Sequence, residues 1–179
     1  MPKHRNLLTF TATALASVVA LAFVAAGCSD AAPADTCFDY TTFTGTTPAV
    51  TFKADVLPIF RLSCGLSTAC HQSQSGPAGQ PYLGPAKLDP DPTQADIDKI
   101  FAQNVDVTAT KAPTMKIVNP GSPQTSFLMH KVDGTLECSD VKCDAAGCGQ
   151  LMPLGSTSPM AETDRDTIRR WIAQGAKND

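Results

Sequence analysis

Charge and histidine are scarce in this chain of 179 residues, and strand-like alternation is nearly absent. The 14 Lys and Arg against 17 Asp and Glu give a net charge of −3. No basic stripe is present, which argues against a nucleic-acid partner and against binding to anionic lipid by charge. Runs that alternate apolar and polar residues are nearly missing, so the pattern points away from a sheet. No internal repeat occurs, which sets aside repeat architectures. Of three histidines, His4 lies at the N-terminus, leaving His71 and His130 as the imidazoles of the remaining chain.

What is present begins with the N-terminus. Lys3, His4 and Arg5 precede an uncharged stretch from Asn6 to Gly27, which ends Val24-Ala25-Ala26-Gly27-Cys28. A basic, then apolar, then small-residue segment ending on cysteine is the pattern of a bacterial lipoprotein signal, with Ala25 where Leu is commoner. The expectation is a signal peptide over 1–27, cleavage before Cys28 and lipid on that thiol. The rest of the chain would then be anchored in the cell envelope, facing periplasm or exterior. An uncleaved membrane helix competes, since about 20 apolar residues span a bilayer. Frequent Thr, Ser and Ala and the Gly27-Cys28 pair weigh against it. Cleavage removes Lys3 and Arg5 and no acid, taking the net charge from −3 to −5. Residues 28–179 suffice for one domain with a core.

Seven cysteines impose a parity condition. With Cys28 lipidated, Cys37, Cys64, Cys70, Cys138, Cys143 and Cys148 remain. An oxidising compartment disfavours stray thiols. If Cys64 and Cys70 are otherwise engaged, the other four make two disulfides; if not, six make three.

Residues 28–50, rich in Ala, Thr, Pro and Asp, read as a flexible tether, with a disulfide at Cys37 able to pin it to the domain surface. From 51 to 179 the spacing predicts a small, loop-rich, all-α domain. Phe52, Val56, Ile59 and Phe60 mark a helix ending before Cys64, with Pro58 either kinking it or lying in its first turn. Residues 72–92 form a long loop. Thr93 and Asp96 make a capping box for a helix carrying Ile97, Ile100 and Phe101. Ser122-Pro123 opens a helix through Phe127 and Leu128 that closes at Gly134. The last helix, about 163–174, carries Ile168, Trp171 and Ile172 and ends at Gly175.

The chemistry centres on Cys64-Gly65-Leu66-Ser67-Thr68-Ala69-Cys70-His71. A cysteine followed at once by histidine, with a second cysteine shortly before, is how c-type haem is held: two thioethers, and the imidazole as axial ligand. The usual spacing has two residues between the cysteines, and here there are five. Small residues in the insert allow it to bulge while its ends approach. Met152, in the Gly- and Pro-rich loop 148–155, is ranked first as second axial ligand, ahead of Met115, Met129 and Met160. Other readings stay open. Ser67 can stand in the first-cysteine place, leaving a single thioether; Cys64 and Cys70 can join as a disulfide in a haemless domain; or Cys64, Cys70 and His71 can bind copper or zinc. The metal reading lacks a fourth ligand, with His130 expected on a helix surface. For Cys138, Cys143 and Cys148, disulfides are favoured over zinc.

Phe52-x-x-Asp55-Val56-x-Pro58-Ile59-Phe60 before Cys64 and Cys70-His71, then Asn119-Pro120-Gly121-Ser122-Pro123 with Ser126-Phe127-Leu128, then Cys148 to Pro153 and Ile168 to Ala176, together resemble cytochrome c-like domains of exported bacterial lipoproteins, the planctomycete-type cytochrome c group. The resemblance implies haem c, and so iron, on Cys64 and Cys70, with His71 proximal and Met152 distal. It implies an electron carrier serving redox partner proteins, not an enzyme. The alternative is a haemless structural or interaction lipoprotein stapled by disulfides.

Overall fold

The computed structural model describes residues 37–76 and 80–179. The expected signal peptide, the lipid on Cys28 and residues 28–36 of the expected tether lie outside the described residues.

A π-helical turn, Phe52–Val56, runs directly into α1, Leu57–Ser63. The Asp55 carboxylate accepts the Thr51 N–H at 2.7 Å and so closes the first turn. Pro58 occupies the start of α1, where a missing N–H costs no helical bond. Phe52 and Phe60 face inward, and the Phe52 ring meets Phe101 at 4.8 Å and Trp171 at 5.4 Å. Edge-to-face and tilted ring pairs of this kind add to the burial itself. α2, Gln94–Asn104, begins with the expected box: the Thr93 hydroxyl accepts the Asp96 N–H, and the Asp96 carboxylate accepts the Thr93 N–H. Ile97 and Ile100 carry its buried face.

The expected all-α class does not hold. After α2 the chain forms an antiparallel hairpin, β1 Thr108–Ala109 and β2 Ala112–Lys116, with Thr108 opposite Lys116 and Ala109 opposite Ala112. The fold is mixed α/β and loop-rich. The reason it was invisible is geometric. β1 has only two residues, the register shifts between them, and β2 buries Ala112 and Met115 at a spacing of three. An irregular ladder erases the period of two by which strands are recognised.

A 3₁₀ turn, Pro123–Thr125, leads into α3, Phe127–Asp133, which Gly134 ends at φ +73°, a left-handed conformation open to a residue without Cβ. α4, Glu162–Ala173, buries Ile168, Trp171 and Ile172. The main core joins the π turn, α1, α2, α3 and α4, and a second cluster lies between the hairpin, Phe127 and Cys138, Val141 and Cys148.

The segment 37–50 is fastened along α4. Cys37 is bonded to Cys138, with Cα atoms 5.9 Å apart. Gln174 donates to Gly45 O and Pro48 O at 2.9 Å each, and its Oε1 accepts the Val50 N–H at 2.9 Å. The Phe38 ring lies 3.6 Å from the Arg169 guanidinium carbon. Arg169 is 1% exposed and donates to Asp133, itself 2% exposed, at 2.6 Å, and also to Asp166. Arg165 reaches the same Asp133 oxygen at 3.1 Å.

Two outcomes follow from these fastenings. Asp133→Ala leaves the Arg169 charge buried without its main partner, and should cost about 3 kcal/mol in urea unfolding; a loss under about 1 kcal/mol would contradict this arrangement. Replacing Cys37 and Cys138 together by serine should lower stability by about 2–4 kcal/mol, since the bridge closes a long loop. Limited proteolysis of that variant should open first within residues 37–50.

Candidate functional site

α1 delivers the chain to Cys64, whose N–H still bonds Phe60 O at 2.9 Å. The Gly65 N–H bonds the same carbonyl at 2.8 Å, ending the helix. Glycine is required there because a Cβ would lie 2.5 Å from Gly84 O. The five residues between the cysteines then fold on themselves. Ser67 O accepts the Cys70 N–H at 2.9 Å and the Gln72 N–H at 3.2 Å. The His71 N–H returns to Cys64 O at 3.1 Å, so the insert bulges outward while its two ends meet.

Cys64 and Cys70 are thiols, whereas the other four described cysteines are paired, Cys37 with Cys138 and Cys143 with Cys148. That leaves Cys138, Cys143 and Cys148 unable to act as zinc thiolates. Cys64 is buried in the main core, and burial, with the nearby Cys70 charge, pushes its thiol up to about 12. Cys70 is half-buried, with the Ser67 hydroxyl 3.5 Å from its sulfur.

The His71 ring is oriented by Pro81. Nδ1 lies 2.7 Å from Pro81 O, and because a carbonyl can only accept, Nδ1 carries the proton. In the neutral ring this leaves Nε2 unprotonated, with a lone pair able to accept or to ligate. Burial, opposed by the Pro81 bond and reinforced by the charge of Lys131, lowers the imidazole pKa below its ordinary 6.5. The Pro81 carbonyl is itself held. His71 O accepts the Leu83 N–H at 2.8 Å, the Tyr82 N–H bonds Gln103 of α2 at 2.7 Å, and Asn104 donates to Tyr82 O at 2.8 Å. Arg61 fixes the far part of this loop by donating to Asp91 at 2.6 Å and to Asp89 O at 2.8 Å.

Met152 is half-buried in an irregular loop, whereas Met115, Met129 and Met160 are buried in the two clusters. Its N–H bonds Lys131 O at 2.9 Å. The Lys131 ammonium donates to Cys148 O at 2.8 Å and to Gln150 O in the same loop. His130 is buried, not at the surface as expected. Its Nε2 meets Gln124 O at 3.0 Å and its Nδ1 the Thr135 hydroxyl at 2.8 Å, so both nitrogens are occupied. Among the described residues no three His, Cys, Asp or Glu side chains gather as a metal site. No described helix is long and apolar enough to cross a membrane. Sequence reasoning missed Pro81 and Lys131. Pro81 acts through a carbonyl, which no side-chain motif marks, and Lys131 reads as an ordinary surface lysine of α3.

Cys64 and Cys70 are left as thiols before His71, whose Nδ1 is taken by Pro81 O, and Met152 stands on a separate loop. In protein made without haem attachment, iodoacetamide at neutral pH should label Cys70 and leave Cys64 unmodified until unfolding, because a thiol raised to about 12 is almost wholly protonated. The other four should stay unlabelled without reductant, as read by peptide mass spectrometry. Labelling of Cys64 as fast as Cys70 would contradict its burial.

No known protein family, curated protein or solved structure matches this chain.

Proposed function

We propose that this protein is a c-type cytochrome, an electron carrier of the bacterial envelope held to a membrane by lipid on Cys28. The observation that carries the reading is the division of the cysteines. Four of the six in the described residues are joined in pairs, and the two left as thiols are those that precede His71. Cys64 and Cys70 would hold haem through thioethers, with His71 and Met152 as axial ligands. The group would supply a reversible one-electron change at iron.

The chain's own residues do the rest. Pro81 O fixes the tautomer and direction of His71 and makes its outer nitrogen more basic, as carbonyl partners do for metal-ligating histidines. The core around Cys64 keeps water from one side. With His71 and Met152 both binding its iron, the group would serve electron transfer in place of bond chemistry. The paired cysteines agree with an oxidising compartment outside the cytoplasm. Burial of the Cys64 side chain within the core favours a second reading, a haemless lipoprotein scaffold.

Expression in a host with haem-attachment machinery, followed by denaturing electrophoresis and haem staining, decides between them. Covalent haem should stay on the polypeptide. Met152→Ala should lose the Met-dependent charge-transfer band and bind small ligands at the opened position. Colourless protein with Cys64 and Cys70 joined by a disulfide would establish the scaffold instead.

A further inference from the structure

Lys131 fastens the Met152 loop at three alternate residues. Its carbonyl accepts the Met152 N–H at 2.9 Å, and its ammonium donates to Cys148 O at 2.8 Å and to Gln150 O. The loop is shaped for this grip. Gly149, between the first two acceptors, has φ +74°, and a Cβ there would stand 3.2 Å from the Lys131 nitrogen. Cys148 is further tied to Cys143, so the first acceptor cannot drift from the second cluster. On the helix side, the Lys131 ammonium lies 5.5 Å from the centre of the Phe127 ring, which steadies it one turn back.

We propose that Lys131 is a positioning residue that fixes the loop carrying Met152 and so sets where its thioether stands, an inference that rests on the electron-carrier reading above. Loop 148–155 has no regular structure to satisfy its carbonyls, so one cation gathers two of them. An ammonium has three donors and no acceptor, and both carbonyls turn toward it at once. Residue 131 then sets where residue 152 stands, because the loop between Cys148 and Met152 has little freedom left. The same ammonium is half-buried, so few waters compete for its donors.

The test uses the full chain, expressed with haem-attachment machinery, as wild type, Lys131→Met and Lys131→Arg. The readouts are amide exchange at Met152 and the Met-dependent charge-transfer band. Lys131→Met should speed Met152 exchange by about tenfold or more and weaken the band. Lys131→Arg should restore both, since guanidinium can donate to the same carbonyls. If Lys131→Met does not fold, by circular dichroism, Lys131→Gln carries the same comparison. Unchanged exchange and band in a folded, haem-bearing Lys131→Met would overturn the role of Lys131 and leave the carrier standing. Wild-type protein without covalent haem is a separate result, which overturns the carrier and this role of Lys131 together.

Discussion

Removing a guanidinium from water is costly unless acceptors replace its hydration, and Arg169, whose Nε stays without a partner, offsets that cost by drawing three parts of the chain to one point. Asp133 comes from the end of α3, Asp166 from one turn earlier in α4, and the Phe38 ring covers the guanidinium from the N-terminal segment. Because Asp133 is bound this way, α3 is fixed on α4. Lys131, two residues earlier, is then presented to the loop that carries Met152. The same guanidinium face gives residues 37–50 a place to dock, completed by the Cys37–Cys138 bridge and the Gln174 hydrogen bonds.

The two sides of the candidate site are built by different means. His71 owes its orientation to backbone: a turn closed from His71 N–H to Cys64 O, a carbonyl at Pro81, and α2 holding Tyr82 in place. Met152 owes its place to one side chain and one disulfide acting on a loop with no ladder of its own. Lys131 holds the Met152 backbone, and its charge adds slightly to the burial that lowers the His71 pKa. Some 80 residues separate His71 from Met152 in the chain, and each is held by its own set of supports.

Local signals in the sequence were legible where they depended on nearest neighbours along the chain. The Thr93–Asp96 box, the Gly134 and Gly175 helix ends, the end of α1 before Cys64 and the buried stripe of α4 all stand as the spacing predicts. The pairing of four cysteines apart from Cys64 and Cys70 matches one branch of the parity condition. The hairpin Thr108–Lys116 was not legible, because two residues in one strand and an irregular register leave no alternation to read. His130 was misread for a related reason. Polar residues on a short helix look solvent-facing until a partner such as Gln124 O or Thr135 supplies the bonds that permit burial.

The sequence by itself determined the Thr93–Asp96 cap, the stops at Gly134 and Gly175 and the buried stripe of α4, and it marked Cys64, Cys70, His71 and Met152 as candidates, since each is a matter of composition and short spacing. Only the tertiary structure decided that Cys37 bonds Cys138, that residues 37–50 lie along α4, and that Pro81 and Lys131 support the candidate ligands. Those contacts join positions from 10 to 126 residues apart through carbonyls, a buried charge and a disulfide. Their partners are selected by proximity after folding, and proximity is a property of the packed chain that no local pattern encodes.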